Sequence, residues 1–346
     1  MADAATADRA DLGGPSLAEI RAAAARIQPH LVETPVLRSA ALDTATGARL
    51  AFKCEALQRA GSFKARGAFN AVLSLTDAEA SCGVATHSSG NHGAALAAAA
   101  QARGVSAHVV TPETAPDAKR ALIDSFGAQL TVCGPGMAAR EAACAALLER
   151  TGATFIHPYD DPRVIAGQAS CALELMAQAP DLDAAIAPIG GGGLIAGTCL
   201  ALADRPDVEV FAAEPVAADD AHRSLVAGRR ITPETPPETV ADALKATLSE
   251  RTFRIAQAHL TEIVTVEDRE ILAALRMIWR ELKVLIEPSC AAPLAAILKR
   301  RERFAGRHIG VILTGGNLDL SAMPRWLGES AHERCEREQG APGGRL

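Results

Sequence analysis

Short apolar segments of strand length alternate along this chain with segments of helical pattern. No other feature constrains the fold as much. Strand-like runs lie at 50–55, 83–87, 107–111, 129–133, 154–156, 184–189, 209–214 and 309–313. Helical patterns cover 64–75, 91–103, 116–126, 137–150, 164–178, 194–203, 267–283 and 290–303. A parallel strand pair needs a crossover, and a crossover helix covers one face of the sheet. Repeated β-α alternation therefore predicts an α/β fold with mainly parallel sheets. The chain has 346 residues, enough for about two domains at ~150 residues each. The stretch 228–238, with Gly228, Pro233, Pro236 and Pro237, reads as a surface connection within a domain.

Charge and composition remove several function classes. Lys and Arg total 35 against 41 Asp and Glu, a net charge of −6, which opposes binding to a phosphate backbone. Aromatic residues make up 3% of the chain, too few for platforms that stack bases. No nucleic-acid partner is expected. A membrane span needs about 18 uninterrupted apolar residues, and no such run occurs, so no membrane role is expected either. The opening 1–16 carries Asp3, Asp8 and Asp11 without an apolar stretch and reads as a loose tail, not a signal peptide. The cysteines Cys54, Cys82, Cys133, Cys144, Cys171, Cys199, Cys290 and Cys335 form no C-x-x-C pair. They read as mostly buried free thiols of a cytoplasmic protein.

In open α/β sheets ligands bind where strands end and loops enter helices. Three such loops stand out. In the first, Gly190, Gly191, Gly192 and Gly193 follow a strand and open a helix. Backbone N–H groups there can turn inward, and the helix start adds partial positive charge, so a phosphate is the natural occupant. Gly191, Gly193 and Ala196 also fit a loose G-x-G-x-x-A pattern, with Glu214 about 20 residues further on. That leaves an NAD-dependent dehydrogenase open. In the second loop, Ser88, Ser89, Gly90, Asn91 and His92 precede a helix. They suit a carboxylate or phosphate, or an ordinary helix cap. The third loop places Lys64 at a helix start, where the dipole lowers a lysine pKa and favours a nucleophilic amine. An amine, a carboxylate seat and a phosphate seat together match the needs of pyridoxal 5′-phosphate chemistry.

Four motifs sharpen this into a resemblance. Gly61-Ser62-Phe63-Lys64-Ala65-Arg66-Gly67-Ala68, Ser88-Ser89-Gly90-Asn91-His92-Gly93, Gly190–Gly193 and Thr314-Gly315-Gly316-Asn317 resemble those of the fold-type II pyridoxal-phosphate enzymes, over about 20–320. Within these the chain is similar to the serine racemase and threonine/serine dehydratase branch, including the 3-hydroxyaspartate ammonia-lyases. The resemblance implies a tryptophan synthase β-like fold of two open parallel-sheet domains. Residues 17–74 and 159–324 would form the large cofactor-binding domain. Residues 75–158 would form a smaller inserted one, and 325–346 a polar tail. The implied assembly is a homodimer, and a C-terminal regulatory domain is not expected.

The resemblance also implies roles. Lys64 would carry the cofactor as a Schiff base and act on the substrate's α-proton, with Ser89 on the opposite face. Phe63 would lie beside the ring, Asn91 at its 3′-oxygen, and Gly190, Gly191, Gly192 and Gly193 at the phosphate. Ser88, Ser89, Gly90 and His92 would seat the carboxylate of a small amino-acid substrate. Thr314 would stand beside the pyridine nitrogen. A neutral hydroxyl there leaves that nitrogen without a proton, which favours early loss of a β-leaving group. The expected reaction is loss of water from serine, threonine or 3-hydroxyaspartate, giving a 2-oxo acid and ammonia. Racemisation is the close alternative. Glu214, the Ala218 carbonyl and Asp220 would bind a divalent cation, Mg²⁺ or else Ca²⁺ or Mn²⁺. Arg140 would either reach a second carboxylate of the substrate or stand on a solvated helix face. Ala243, Ala246 and Tyr159 depart from the branch pattern near the substrate.

Overall fold

The computed structural model describes residues 12–88 and 90–327. Among these, the strands in chain order are β1 (Val36–Leu37), β2 (Arg49–Cys54), β3 (Val84–His87), β4 (Ala107–Pro112), β5 (Gln129–Cys133), β6 (Thr154–Phe155), β7 (Ala184–Pro188), β8 (Glu209–Pro215), β9 (Glu262–Val266) and β10 (His308–Leu313). They form a six-stranded sheet in the order β1-β2-β10-β7-β8-β9 and a four-stranded sheet in the order β5-β4-β3-β6. Every pairing is parallel except β1 with β2. The α/β class read from the alternation is the observed one.

The burial pattern explains why these sheets need helices on both faces. Every residue of β4, β7 and β10 is buried, as expected of strands covered on two sides. One face of the six-stranded sheet packs Ile165, Ala169, Ile195 and Leu200 from two crossover helices, Pro162–Gln178 and Gly193–Leu202. The other face packs Ile271, Leu275 and Ile278 of the Asp268–Leu282 helix with Leu294 and Ile297. Beside the four-stranded sheet lies an alanine-rich core. It joins Ala94–Ala100 of the Asn91–Arg103 helix with Ala65, Ala68 and Phe69 of the Lys64–Leu73 helix. The helix that carries Lys64 therefore packs with the small sheet as well as the large one. Small side chains let these helices approach closely, and the scarcity of aromatics agrees with that.

Several expectations are corrected. The loose tail to Ser16 ends earlier, because Leu12 packs on the main core and Pro15 is buried. The Gly13 carbonyl accepts from Arg251 Nε at 2.6 Å. Ser16 then caps an unexpected helix, Leu17–Ile27, through a reciprocal box with Glu19. The polar stretch from Arg325 begins inside the Met323–Leu327 helix, where Trp326 packs on Trp279. The helix expected over 290–303 is three pieces: Pro288–Ala291, Ala292–Lys299 and Arg301–Phe304. The helix Glu250–His259 and strand β9 are additions to the expected elements. Cys82 is exposed, unlike the five buried thiols, and Cys335 lies outside the described residues.

Candidate active site

Four chain segments meet at the carboxyl ends of strands. β7 ends in Pro188 and leads through the glycines into the Gly193–Leu202 helix. β3 ends in His87, ahead of the Asn91–Arg103 helix. β2 and β10 run side by side, with Cys54 opposite Leu313, so Thr314 emerges beside the segment leading to Lys64. The Phe63 N–H donates to the Thr314 carbonyl at 3.0 Å, and Ser62 bridges to Gly315. These segments enclose a cavity of about 370 Å³. Phe63, Lys64, Ser88, Gly90, Asn91, His92, Arg140, all four glycines and Thr314 line it. Ser89 lies outside the described residues.

Lys64 is the first residue of its helix, and its Nζ donates to the Pro158 carbonyl at 2.7 Å. Burial pushes its pKa down to about 8, with the Glu287 carboxylate opposing. Loss of water, more than the helix dipole expected from the sequence, is therefore what lowers it. The Phe63 ring centroid stands 5.2 Å from Nζ.

The glycine loop is shaped by what covers it. A Cβ on Gly191 would sit 2.5 Å from Tyr159 Cδ1, and one on Gly193 would sit 2.9 Å from Tyr159 Cβ. Gly192 has φ +86°, a conformation that side chains other than glycine's rarely adopt. The Gly191 carbonyl is held by Thr252 Oγ1 at 3.0 Å. Tyr159, the chain's only tyrosine, therefore packs directly against the loop. The Gly193 helix start lies beside it, and its free N–H groups suit an anion.

Asn91 is held from two sides. Asn317 Nδ2 donates to its Oδ1 at 2.9 Å, and its own Nδ2 donates to Glu287 Oε1 at 2.8 Å. One amide N–H is left to face the cavity. Thr314 Oγ1 lies 3.0 Å from Cys290 Sγ. Burial raises the Cys290 pKa, so it stays a neutral thiol. Ser88 does not cap the following helix, whose N-cap is Gly90 without a side-chain bond, so the capping reading fails for Ser88. The His92 ring reaches the Ile156 carbonyl at 3.3 Å through Nε2, while its Nδ1 is buried with no partner among the described residues. Burial lowers the pKa of His92 and of His157, the latter to about 4. His157 Nδ1 accepts the Tyr159 and Asp160 backbone N–H groups, which fixes its tautomer. Arg140 lines the cavity and has no carboxylate partner among the described residues. Its Nε reaches only the Gly136 carbonyl, at 3.4 Å.

Glu214, Ala218 and Asp220 lie together at the end of β8. Glu214 accepts backbone N–H groups from Ala221 (3.0 Å) and His222 (2.9 Å). Among the described residues no cluster of three or more His, Cys, Asp or Glu could hold a metal. Two carboxylates and one carbonyl fall short of that. Sequence reasoning missed His157, Lys119, Glu287 and Cys290 as cavity or supporting groups. Asn317 stands inside one of the four motifs, but its role becomes visible only in the structure.

A buried amine, a glycine cradle for an anion and a neutral hydroxyl facing them define an enzyme site built to hold pyridoxal phosphate. Residues 27–315 match the family described as pyridoxal-phosphate dependent enzyme, and the chain belongs to it. It is similar to a β-hydroxyaspartate dehydratase of Paracoccus denitrificans (strain Pd 1222), 50% identical over 311 residues, covering 90% of this chain and 98% of that protein. A serine racemase of Dictyostelium discoideum is 45% identical, with coverage of 90% and 98%. Among solved structures, maize serine racemase matches with a TM-score of 0.87 at 39% identity, covering 94% of this chain and 99% of that one. A T.th. threonine deaminase matches at 0.85 and 44% identity, with coverage of 88% and 99%. None of these relatives supports the dinucleotide reading of the glycine loop.

Proposed function

We infer that this chain is a carbon–nitrogen lyase that removes water and then ammonia from a β-hydroxy amino acid, leaving a 2-oxo acid. The observation that carries this reading is the Lys64 amine, its pKa lowered by burial to about 8, in one cavity with the Thr314 hydroxyl and the glycine cradle. Pyridoxal phosphate, when bound, supplies a carbonyl that joins an amine and a ring that spreads negative charge from the substrate's Cα. Gly190 to Gly193 hold its phosphate by backbone N–H groups. The free Asn91 N–H meets its 3′-oxygen. Thr314 offers the ring nitrogen a hydroxyl in place of a carboxylate. Lys64 Nζ takes the α-proton. Ser88, Gly90 and the His92 backbone N–H seat the α-carboxylate, with His92 Nε2 held at the Ile156 carbonyl. Ser89 takes the opposite face on its place in the motif alone.

Arg140 favours 3-hydroxyaspartate over serine and threonine, since an arginine in the cavity without a carboxylate suits a second acid group. In a panel of these amino acids, Arg140→Ala is expected to raise KM for 3-hydroxyaspartate about tenfold, with a smaller effect on threonine. Equal effects on both would remove Arg140 from substrate choice. The Paracoccus relative bears the name of this dehydratase activity. Racemisation is the second reading, favoured by the serine racemases among the relatives. A chiral assay run beside the ammonia assay separates the two.

A divalent cation at the β8 loop belongs to this reading, with Glu214, Asp220 and the Ala218 carbonyl as its protein ligands and water completing the shell. Burial raises Glu214 to about 9 and Asp220 to about 6, with neighbouring Asp219 adding to both. Adjacent carboxylates held so high are relieved by a cation, and hard oxygens suit Mg²⁺ or Ca²⁺. Chelation is expected to lower the thermal midpoint by a few degrees, roughly 2–4 °C per kcal/mol of lost binding. Asp220→Ala should abolish that response. No shift in wild type would contradict a metal. The proposed setting is a homodimer in the cytoplasm. Free thiols at all seven described cysteines support a reducing compartment. Exposed Leu57 and Leu285, on segments that both border Gly316, support self-association. The lobe division at 75–158 is proposed with it. No described helix is long and apolar enough to cross a membrane.

A further inference from the structure

One ion pair at the cavity is not used by the reading above. Lys119 comes from the Asp117–Asp124 helix beside the small sheet. Its Nζ pairs with Oδ2 of Asp242, the first residue of a short turn, Asp242–Leu244. Both line the cavity, and so does Arg140. Besides Lys64, three basic side chains therefore share the cavity, Lys119, Arg140 and Lys245, and among the described residues only Lys119 is ion-paired with a carboxylate.

This pair is built differently from a structural salt bridge. The Asp242 side chain is 48% exposed and makes no other hydrogen bond among the described residues. Such a pair contributes little and exchanges partners readily. Lys119 is the less exposed member, at 17%. Although burial opposes it, Asp242 and Glu287 hold its pKa above the usual lysine value. Its charge therefore survives within the cavity wall. Glu287 cannot take over as its partner at no cost, because Glu287 Oε1 already accepts from Asn91.

We propose that Lys119 and Arg140 together form a distal-carboxylate site, and that Asp242 is an internal stand-in displaced when a dicarboxylic β-hydroxy amino acid binds. This rests on the ammonia-lyase reading and deepens it by adding to Arg140 a second cation, Lys119, and a carboxylate that the substrate displaces. Arg140 supplies a planar fork and Lys119 a point charge. A substrate without the second acid leaves the Lys119–Asp242 pair closed.

Lys119→Met is expected to lower the ratio of kcat/KM for 3-hydroxyaspartate to that for serine about tenfold, mainly through KM. Lys119→Arg should keep most of the ratio. An unchanged ratio overturns the proposal, whether both values fall together or neither moves. A second arm needs no turnover. With the pyridoxal-phosphate-loaded enzyme, succinate is expected to raise the thermal midpoint more than butyrate does. In Asp242→Asn the succinate concentration needed should fall about threefold. Equal responses to the two acids, or succinate binding unchanged or weaker in Asp242→Asn, contradict the proposal. If wild type releases ammonia from no hydroxy amino acid, the lyase reading fails, and the succinate arm still decides this one.

Discussion

Lys64→Ala is expected to lower kcat by at least ~10³-fold and to leave the purified protein without covalently held pyridoxal phosphate. One side chain carries both effects. Its amine is the point of attachment and the group that moves the α-proton, and general-base steps alone are worth about 10²–10⁴-fold. Of the other lysines that line the cavity, Lys119 is paired with Asp242 and Lys245 is exposed, whereas Lys64 is buried. The pKa near 8 adds a sign that can be tested. Above that pH the amine is free and attacks a carbonyl, and below it the ammonium does not. Cofactor loading onto the stripped protein should therefore quicken as pH rises through about 8 and level off beyond it. Absorbance of the bound cofactor, followed in a stopped-flow mixer, measures this. Loading that slows over the same range would place another group at the attachment point.

Arg66→Met is expected to cost about 3–5 kcal/mol of stability, seen as a fall of roughly 10 °C in thermal midpoint. Arg66 lies two residues beyond Lys64 and is 1% exposed. It grips Glu55 through Nε and Nη2, at 2.7 and 2.8 Å. It grips Glu174 through Nη1 and Nη2, both at 2.7 Å, and its Nη1 also reaches Ser170 at 3.2 Å. All five guanidinium N–H groups find an acceptor. Methionine fills similar volume but leaves Glu55 without its guanidinium, fully buried and, among the described residues, with only the Thr34 hydroxyl bonded to its side chain. The network ties the end of β2, the Lys64 helix and the Pro162–Gln178 helix, so part of the loss should appear as weaker cofactor retention. Arg66→Lys keeps a charge without the fork and should fall between the two. A midpoint within 2 °C or so of wild type would mean that these buried carboxylates tolerate losing their partner, against the usual cost of such a loss.

How much of this was legible beforehand depended on range. The β-α alternation and the bounds of the Asn91–Arg103 helix and of β5 follow from local pattern and recur in the structure. The cavity residues could be read because each motif sits at a strand end, where backbone geometry restricts residue choice. The Arg66 network could not. Glu55 and Glu174 lie 11 and 108 residues from Arg66, and nothing local marks them as partners. Lys119 and Glu287 were missed for the same reason, because their partners arrive from other elements. The Leu17–Ile27 helix was missed even though its Ser16–Glu19 box is a local signal, because the charged opening reads as a tail through Ser16. Over 290–303 the helical pattern is continuous, but the backbone breaks at Arg300 (φ −110°, ψ 42°). That break leaves no mark in the apolar spacing.

The central claim is that the Lys64 cavity drives elimination of water from a β-hydroxy amino acid. The most direct test incubates the purified holoenzyme with 3-hydroxyaspartate and measures ammonia, 2-oxo acid and the chirality of the remaining substrate together. Ammonia and 2-oxo acid are expected in equal amounts, with both lost in Lys64→Ala. Inversion of the amino acid without ammonia release would contradict it.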